Sequence, residues 1–226
     1  MTTKIISIPA TPNATLAVIQ KLDKFIRWYS PTAKFFLAGG AIRRAYRGET
    51  LGSSDIDLFF PSHNDLVKVG NILDRVHQGS MHPNCKQYHF DYKDESPFTA
   101  KEIEGASPTN GCGERLITIP IQLIHSSYFD TKEELFDNFD FTICQMAYQK
   151  GNYFFSEKAF DDESNGILDF ASTEYDQNRF KHNRLLKYCK YGYTPTIEVF
   201  GTVFLGPEAL YIGDFAVNDS NAEYEI

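Results

Sequence analysis

The sequence predicts an α+β fold in which a β-sheet is flanked by helices and followed by a small C-terminal helical appendage. Two observations carry this: apolar runs of strand length alternate with stretches of helical period over residues 11–78, and a basic helical stretch follows late in the chain. At 226 residues and 42% hydrophobic content the chain can bury a real core.

Thr11-Pro12 ahead of Leu16, Ile19, Leu22, Phe25 and Ile26 reads as a cap and first-turn proline opening an amphipathic helix that ends near Ser30-Pro31. Lys34 to Ala38 is a short strand stopped by Gly39-Gly40, where the backbone needs room or positive φ. A helix from Ala41 to Arg47 ends at Gly48, and a polar loop over 49–54 leads to a strand at Asp55-Ile56-Asp57-Leu58-Phe59-Phe60. Ser62 has capping-box spacing before a helix that runs to about Gln78. Gln87 to Tyr92 fits a strand and 104–113 a loop. Leu116 to His125 is the clearest later strand, and Pro120 predicts an edge position or an irregular start. Thr131 opens another capped helix, Asn152 to Ser156 is a strand, and Asp176 to Tyr191 is a basic helix ending at Gly192. Val199 to Leu205 reads as extended, and the acidic tail over 218–226 is expected to fray. The expected organisation is a main domain over 1–150 and an appendage over 151–226.

A net charge of −8 excludes a protein that coats nucleic acid nonspecifically, so any such contact needs a local basic patch. No stretch nears the roughly 20 apolar residues that span a bilayer, and no signal-peptide layout opens the chain; the expectation is a soluble, cytoplasmic protein without membrane contact. Four separated cysteines form no CxxC pair. His82, Cys85 and His89 lie close in sequence but match no common zinc spacing, and an ordinary loop and strand is the simpler reading.

The chemistry concentrates at Asp55 and Asp57. Two residues apart on a strand, they project from one face while Ile56 points into the core, and paired carboxylates of this kind hold divalent metal against a triphosphate. Gly39 and Gly40 let backbone amides approach phosphate, and the helix that follows adds its dipole. Arg43 or Arg44 offers a charge-assisted phosphate contact; a solvated helix face is the alternative. Asp140 is either a helix N-cap or a ligand-binding group. The basic helix with Arg179 and Arg184 either binds phosphate or RNA or is the wet face of a packed helix.

Leu37-Ala38-Gly39-Gly40-Ala41-Ile42-Arg43-Arg44, then Leu51-Gly52, then Asp55-Ile56-Asp57-Leu58 resembles the DNA polymerase β-like nucleotidyltransferase superfamily, and within it the bacterial-type CCA-adding enzyme and poly(A) polymerase family. Asp140 to Tyr148 is similar to that family's Asp-Phe-Thr segment for ribose and nucleotide handling, and Arg179 to Tyr188 to its Arg-rich helix. The resemblance implies a nucleotidyltransferase fold with a mixed sheet, Mg2+ (or Mn2+) on Asp55 and Asp57, and a nucleoside triphosphate held by Gly39, Gly40, Arg43, Arg44, Asp140, Arg179 and Arg184. It implies transfer of a nucleoside monophosphate to an acceptor hydroxyl, with an RNA or tRNA-like 3′ end favoured. A protein or small-molecule hydroxyl, or a noncatalytic nucleotide-binding module, is the alternative. Three departures stand out: Asn138 and Phe139 replace the family's arginine pair, Arg44 its Asp, and Gln122 a further carboxylate.

Overall fold

The computed structural model describes residues 3–52, 54–75, 79–93, 116–171 and 182–205. Its elements are β1 (Ile5–Pro9), α1 (Ala14–Tyr29), β2 (Phe36–Ala38), α2 (Gly40–Arg47), β3 (Ile56–Phe59), α3 (His63–Leu73), β4 (Ser80–Met81), β5 (Cys85–Lys93) and β6 (Leu116–Ile124). These are followed by α4 (Lys132–Asp137), a 3₁₀ turn at Thr142–Cys144, β7 (Met146–Gln149), β8 (Asn152–Ser156), α5 (Glu157–Asn165), β9 (Ile167–Leu168), α6 (His182–Lys190), β10 (Thr194–Pro195) and α7 (Ile197–Leu205). Among the described residues, no helix is long and apolar enough to cross a membrane.

Eight strands form one sheet in the order β1-β8-β7-β2-β3-β6-β5-β4. The pairing is antiparallel except between β3 and β6, which run parallel, so the sheet is mixed and the expected fold class holds. Parallel neighbours need a long crossover, and α3 lies on that connection. The alternation of β3 sorts its side chains onto two faces. Ile56 and Leu58 join Leu16, Ile19 and Ile26 of α1, Ile42 of α2 and Val69 of α3 in the main core. Phe59 packs instead against a second cluster that includes Phe136 of α4. Asp57 alternates with Ile56 and Leu58 and therefore belongs to that second face.

Local signals set most boundaries. Gly48, in the left-handed conformation at φ +67°, closes α2. The Ser62 hydroxyl accepts from the Asp65 amide at 3.1 Å, and the Thr131 hydroxyl accepts from Glu134 at 3.2 Å, as their capping spacing predicts.

Several expectations need correction. Asn13, not Thr11, caps α1 by accepting from the Leu16 amide at 2.9 Å. Helix α3 stops at Leu73 rather than near Gln78. Strand β6 lies inside the sheet, not at an edge: Pro120 is tolerated because its pairing with β3 begins one residue later, at Ile121. The segment read as extended from Val199 is helix α7, whose start is marked by the Thr196 hydroxyl accepting from the Val199 amide at 3.3 Å. Strand β1 and helix α5 stand where the sequence pattern gives no element. The boundary expected at residue 150 falls in the turn of the β7–β8 hairpin, within the main sheet. The loop at 104–113, the first part of the basic helix and the acidic tail lie outside the described residues. His82 and Cys85 close the β4–β5 hairpin, the His82 amide donating to the Cys85 carbonyl at 2.9 Å.

A third cluster, formed by Phe141, Ile143, Leu168, Phe170, Leu185, Tyr188, Tyr193 and Val199, joins the C-terminal elements to the 3₁₀ turn. It brings α6 back toward the start of β3.

Candidate functional site

The site is built where β2 ends and β3 begins. These antiparallel strands pair Ala38 with Asp57, so the glycine turn leaving β2 sits beside the acids entering β3. Gly39 has φ +89°, a conformation that favours glycine, and caps α2. A Cβ at this position would stand 2.9 Å from Asp57 Oδ2. The turn and the carboxylate thus share one space. Around Gly40 a Cβ would meet nothing within 4 Å, leaving room for a ligand. Gly39→Ala is expected to strain the turn and displace Asp57, cutting any activity of the site by at least roughly tenfold at modest cost in stability; Gly40→Ala should be milder, and paired activity and melting measurements check both.

Burial pushes the Asp57 carboxyl well above the ordinary carboxylate range, and the nearby charge of Asp55 pushes it further; Arg184 and Lys187 oppose both. Asp55 is likewise raised by burial, against its own backbone hydrogen bond and the same two cations. Two carboxylates are therefore packed where neither ionises easily, facing one side of α6. Arg184 is itself held by Asp140, its Nε 2.8 Å from Oδ2 and its Nη2 donating to Oδ1 at 2.9 Å. The ion pair and the single Nη2 hydrogen bond restrain the guanidinium beside Asp140, within electrostatic reach of the acid pair. Lys187 lies one turn further along and is exposed.

Asp140 also accepts from the Phe141 amide at 2.9 Å, which makes it a local support rather than the cap of a helix through Met146. Arg43 sits elsewhere in character: it is 2% exposed, and its Nη1 donates to the Tyr193 hydroxyl at 2.9 Å. Its guanidinium carbon lies 5.9, 5.1 and 5.4 Å from the ring centres of Tyr188, Tyr191 and Tyr193. Arg44 donates to the Thr50 carbonyl at 3.2 Å and the Tyr191 hydroxyl at 3.1 Å. Both arginines are thus committed to neighbouring protein groups. Arg179 lies outside the described residues.

The tyrosine cage and Lys187 were not singled out as site residues in the sequence. The available signal was the crowding of Tyr188, Tyr191 and Tyr193 at the end of a basic helix. Gln122 pairs in register with Asp57 across the β3–β6 ladder, so a neutral amide flanks the acid pair on that side. No group of three or more His, Cys, Asp or Glu side chains is placed to hold a metal among the described residues. The two aspartates suit a divalent cation: they are hard oxygen donors, crowded and poorly solvated, and their charge balances a doubly positive ion.

A family model described as Gabija anti-defense 2 family protein matches residues 14–165, a span that includes the glycine turn, both acids and Asp140. No curated protein matches the sequence. Among solved structures, the chain is similar to the Thermotoga maritima CCA-adding enzyme complexed with tRNA, at 13% identity over 92% of this chain and 47% of that one, with a TM-score of 0.60. It is similar to a CCA-adding enzyme in complex with ATP at 14% identity, 92% and 47% coverage and a TM-score of 0.58. An apo form of a CCA-adding enzyme aligns at 14% identity, 88% and 44% coverage and a TM-score of 0.56. The chain spans about half the length of these proteins, and the likeness establishes a nucleotidyltransferase-like fold.

Proposed function

The chain belongs to the Gabija anti-defense 2 family, and from its nucleotidyltransferase-like fold and the geometry of the acid pair we propose that it is a metal-dependent nucleotidyltransferase. It moves a nucleoside monophosphate from a nucleoside triphosphate to an acceptor hydroxyl. The observation that carries the reading is the desolvated Asp55–Asp57 pair set against a glycine turn so close that a Cβ on Gly39 would stand 2.9 Å from Asp57 Oδ2.

Asp55 and Asp57 would hold Mg2+ or Mn2+, which supplies neutralising charge to the triphosphate and to the attacking oxygen. The chain's own groups do the rest. The Gly39–Gly40 backbone approaches the phosphates, and the start of α2 offers its positive dipole end. Arg184, oriented by Asp140, and Lys187 add positive charge on the side of α6. The acceptor oxygen bonds to the α-phosphorus as the bond to the β-phosphate bridging oxygen breaks, and pyrophosphate leaves. Catalysis of this kind is positioning and charge stabilisation.

The favoured acceptor is an RNA 3′ end, supported by the tRNA complex of a structural neighbour and by the basic helix. The family description names an anti-defence role against Gabija, and the proposed transfer would serve such a role by modifying its acceptor. A noncatalytic nucleotide-binding module is the second reading, favoured by Gln122 standing in register with Asp57 and by the lack of a third acid among the described residues.

Incubating the protein with each α-labelled nucleoside triphosphate, Mg2+ and total RNA, with and without cell protein, separates these readings. Labelled RNA is the expected result. Labelled protein would move the acceptor to a polypeptide, and nucleotide binding without pyrophosphate release would support the second reading. Any signal must vanish with Asp55→Ala and Asp57→Ala.

A further inference from the structure

The outer face of α1 combines features that neither the fold nor the acid pair requires. Trp28, the chain's one tryptophan, is 82% exposed, and Tyr29 beside it is 61% exposed. Buried contacts on this helix are made by Leu16, Val18, Ile19, Leu22 and Ile26. The opposite stripe runs Lys21, Lys24 and Trp28, with Phe25 and Tyr29 on the adjoining ridge and their rings 5.1 Å apart.

Charge on this surface opposes the charge of the protein. Residues 14–34 contain four cations, Lys21, Lys24, Arg27 and Lys34, and one acid, Asp23, in a chain with 30 acidic and 22 basic residues. Asp23 is buried and paired with Arg27 at 2.9 Å, and Arg27 turns inward over Phe35. Lys21, Lys24 and Lys34 are exposed on this side. An acidic partner is drawn to this face, whereas most of the surface repels it. Among acidic partners, an exposed indole and an exposed phenol at the same end of one helix suit one that offers stacking faces. Single-stranded nucleic acid supplies both properties, negative phosphates for the lysines and bases for Trp28 and Tyr29.

We propose that the exposed end of α1 is an attachment surface for single-stranded RNA, with Trp28 as its stacking platform. The proposal deepens the nucleotidyltransferase reading, whose acceptor it would hold. Strand β2 carries the chain from this end of α1 to the glycine turn, so attachment surface and acid pair occupy different ends of the strand. An RNA bound here is gripped away from the nucleotide being modified, and recognition is of backbone and stacking rather than of one sequence.

Trp28 is its own reporter. Titrating the full chain with a 20-nucleotide single-stranded RNA at low salt, without nucleotide or metal, should quench tryptophan emission. The affinity should fall with salt at a log–log slope near −2, from about three lysine–phosphate contacts. Trp28→Ala should weaken binding of a fluorophore-labelled RNA by roughly 5- to 100-fold by anisotropy, and Trp28→Phe should lose less. The high exposure of Trp28 predicts an unchanged melting temperature. Absence of quenching, or equal binding by wild type and Trp28→Ala, overturns the proposal, and the second result would place RNA elsewhere, for instance on α6. If RNA quenches Trp28 but no nucleotide is ever transferred, the attachment surface stands and the transferase reading fails; transfer without quenching reverses that outcome.

Discussion

Replacing Asp57 with asparagine is expected to raise the melting temperature of the metal-free protein at neutral pH and to abolish nucleotide transfer. Burial and the charge of Asp55 hold the Asp57 carboxyl well above its ordinary value, so its ionised form is a liability to the fold when no cation is present. The sign follows from proton counting. Above the unfolded-state value near 3.8, the folded chain retains a proton that the unfolded chain has released. Stability therefore falls as pH rises from that value through the elevated folded one. Asparagine has no charge to pay for, so the gap between variant and wild type should be absent at pH 3–3.5 and open with rising pH. Each kcal/mol relieved is worth roughly 2–4 °C in a chain of this size. Added Mg2+ or Mn2+ should stabilise the wild type and leave the variant unmoved. Transfer should drop by at least roughly 10²- to 10³-fold, the scale seen when a group that stabilises developing charge is lost. Thermal unfolding in chelator across pH, repeated with Mn2+, tests the claim: a variant no more stable than wild type at neutral pH would show that the acid pair is not held in conflict.

The elements nearest the acids were the most legible in the sequence because their determinants are local. Ile56, Asp57 and Leu58 alternate within one strand that Asp55 directly precedes; Gly39 and Gly40 mark a turn; Ser62 and Thr131 announce helices through their own hydroxyls. Elements defined by distant partners were not legible. Strand β1 earns its place by pairing with β8, Ile5 opposite Ser156, far along the chain. Helix α5 has few apolar residues because it buries polar groups instead: Asp162 accepts from the Thr142 hydroxyl at 2.6 Å and Glu163 from the Tyr193 hydroxyl at 2.5 Å. A hydrophobic periodicity cannot reveal a helix of that kind. In α7, aromatic and β-branched residues suggested extended chain, while one hydroxyl of Thr196 and tertiary packing of Val199 favoured a helix. The sequence marks Arg184 as a cation for phosphate, but its restraint by Asp140, 44 residues earlier, exists only in the folded chain.

Arg43 shows the same limit with the largest expected consequence for stability. Its position after the glycine turn suggests a phosphate contact, yet its guanidinium is enclosed by three tyrosines that follow about 150 residues later. Tyr193 is the hub: its hydroxyl accepts from Arg43 Nη1 at 2.9 Å and Arg47 Nη1 at 3.2 Å, and donates to Glu163 at 2.5 Å. One hydroxyl thereby joins α2, α5 and the turn after α6, and α6 carries the cations that face the acid pair. Arg43→Ala removes a buried cation from this network, leaves a cavity among three rings and takes a donor from Tyr193. Losing one member of a buried charged network costs about 3–5 kcal/mol, or roughly 6–20 °C here. Arg44→Ala should cost far less, about 1 kcal/mol, because Arg44 is more exposed and makes peripheral hydrogen bonds. Arg43→Lys should recover little, since an ammonium cannot reproduce a flat guanidinium against tyrosine rings. Melting temperature and triphosphate affinity, measured on the same preparations, distinguish two roles for the residue. A large loss of stability in Arg43→Ala, with affinity falling only in proportion to unfolding, means that Arg43 rivets the C-terminal elements to α2. Normal melting with triphosphate affinity lost would return it to the phosphate site that its place in the sequence suggests.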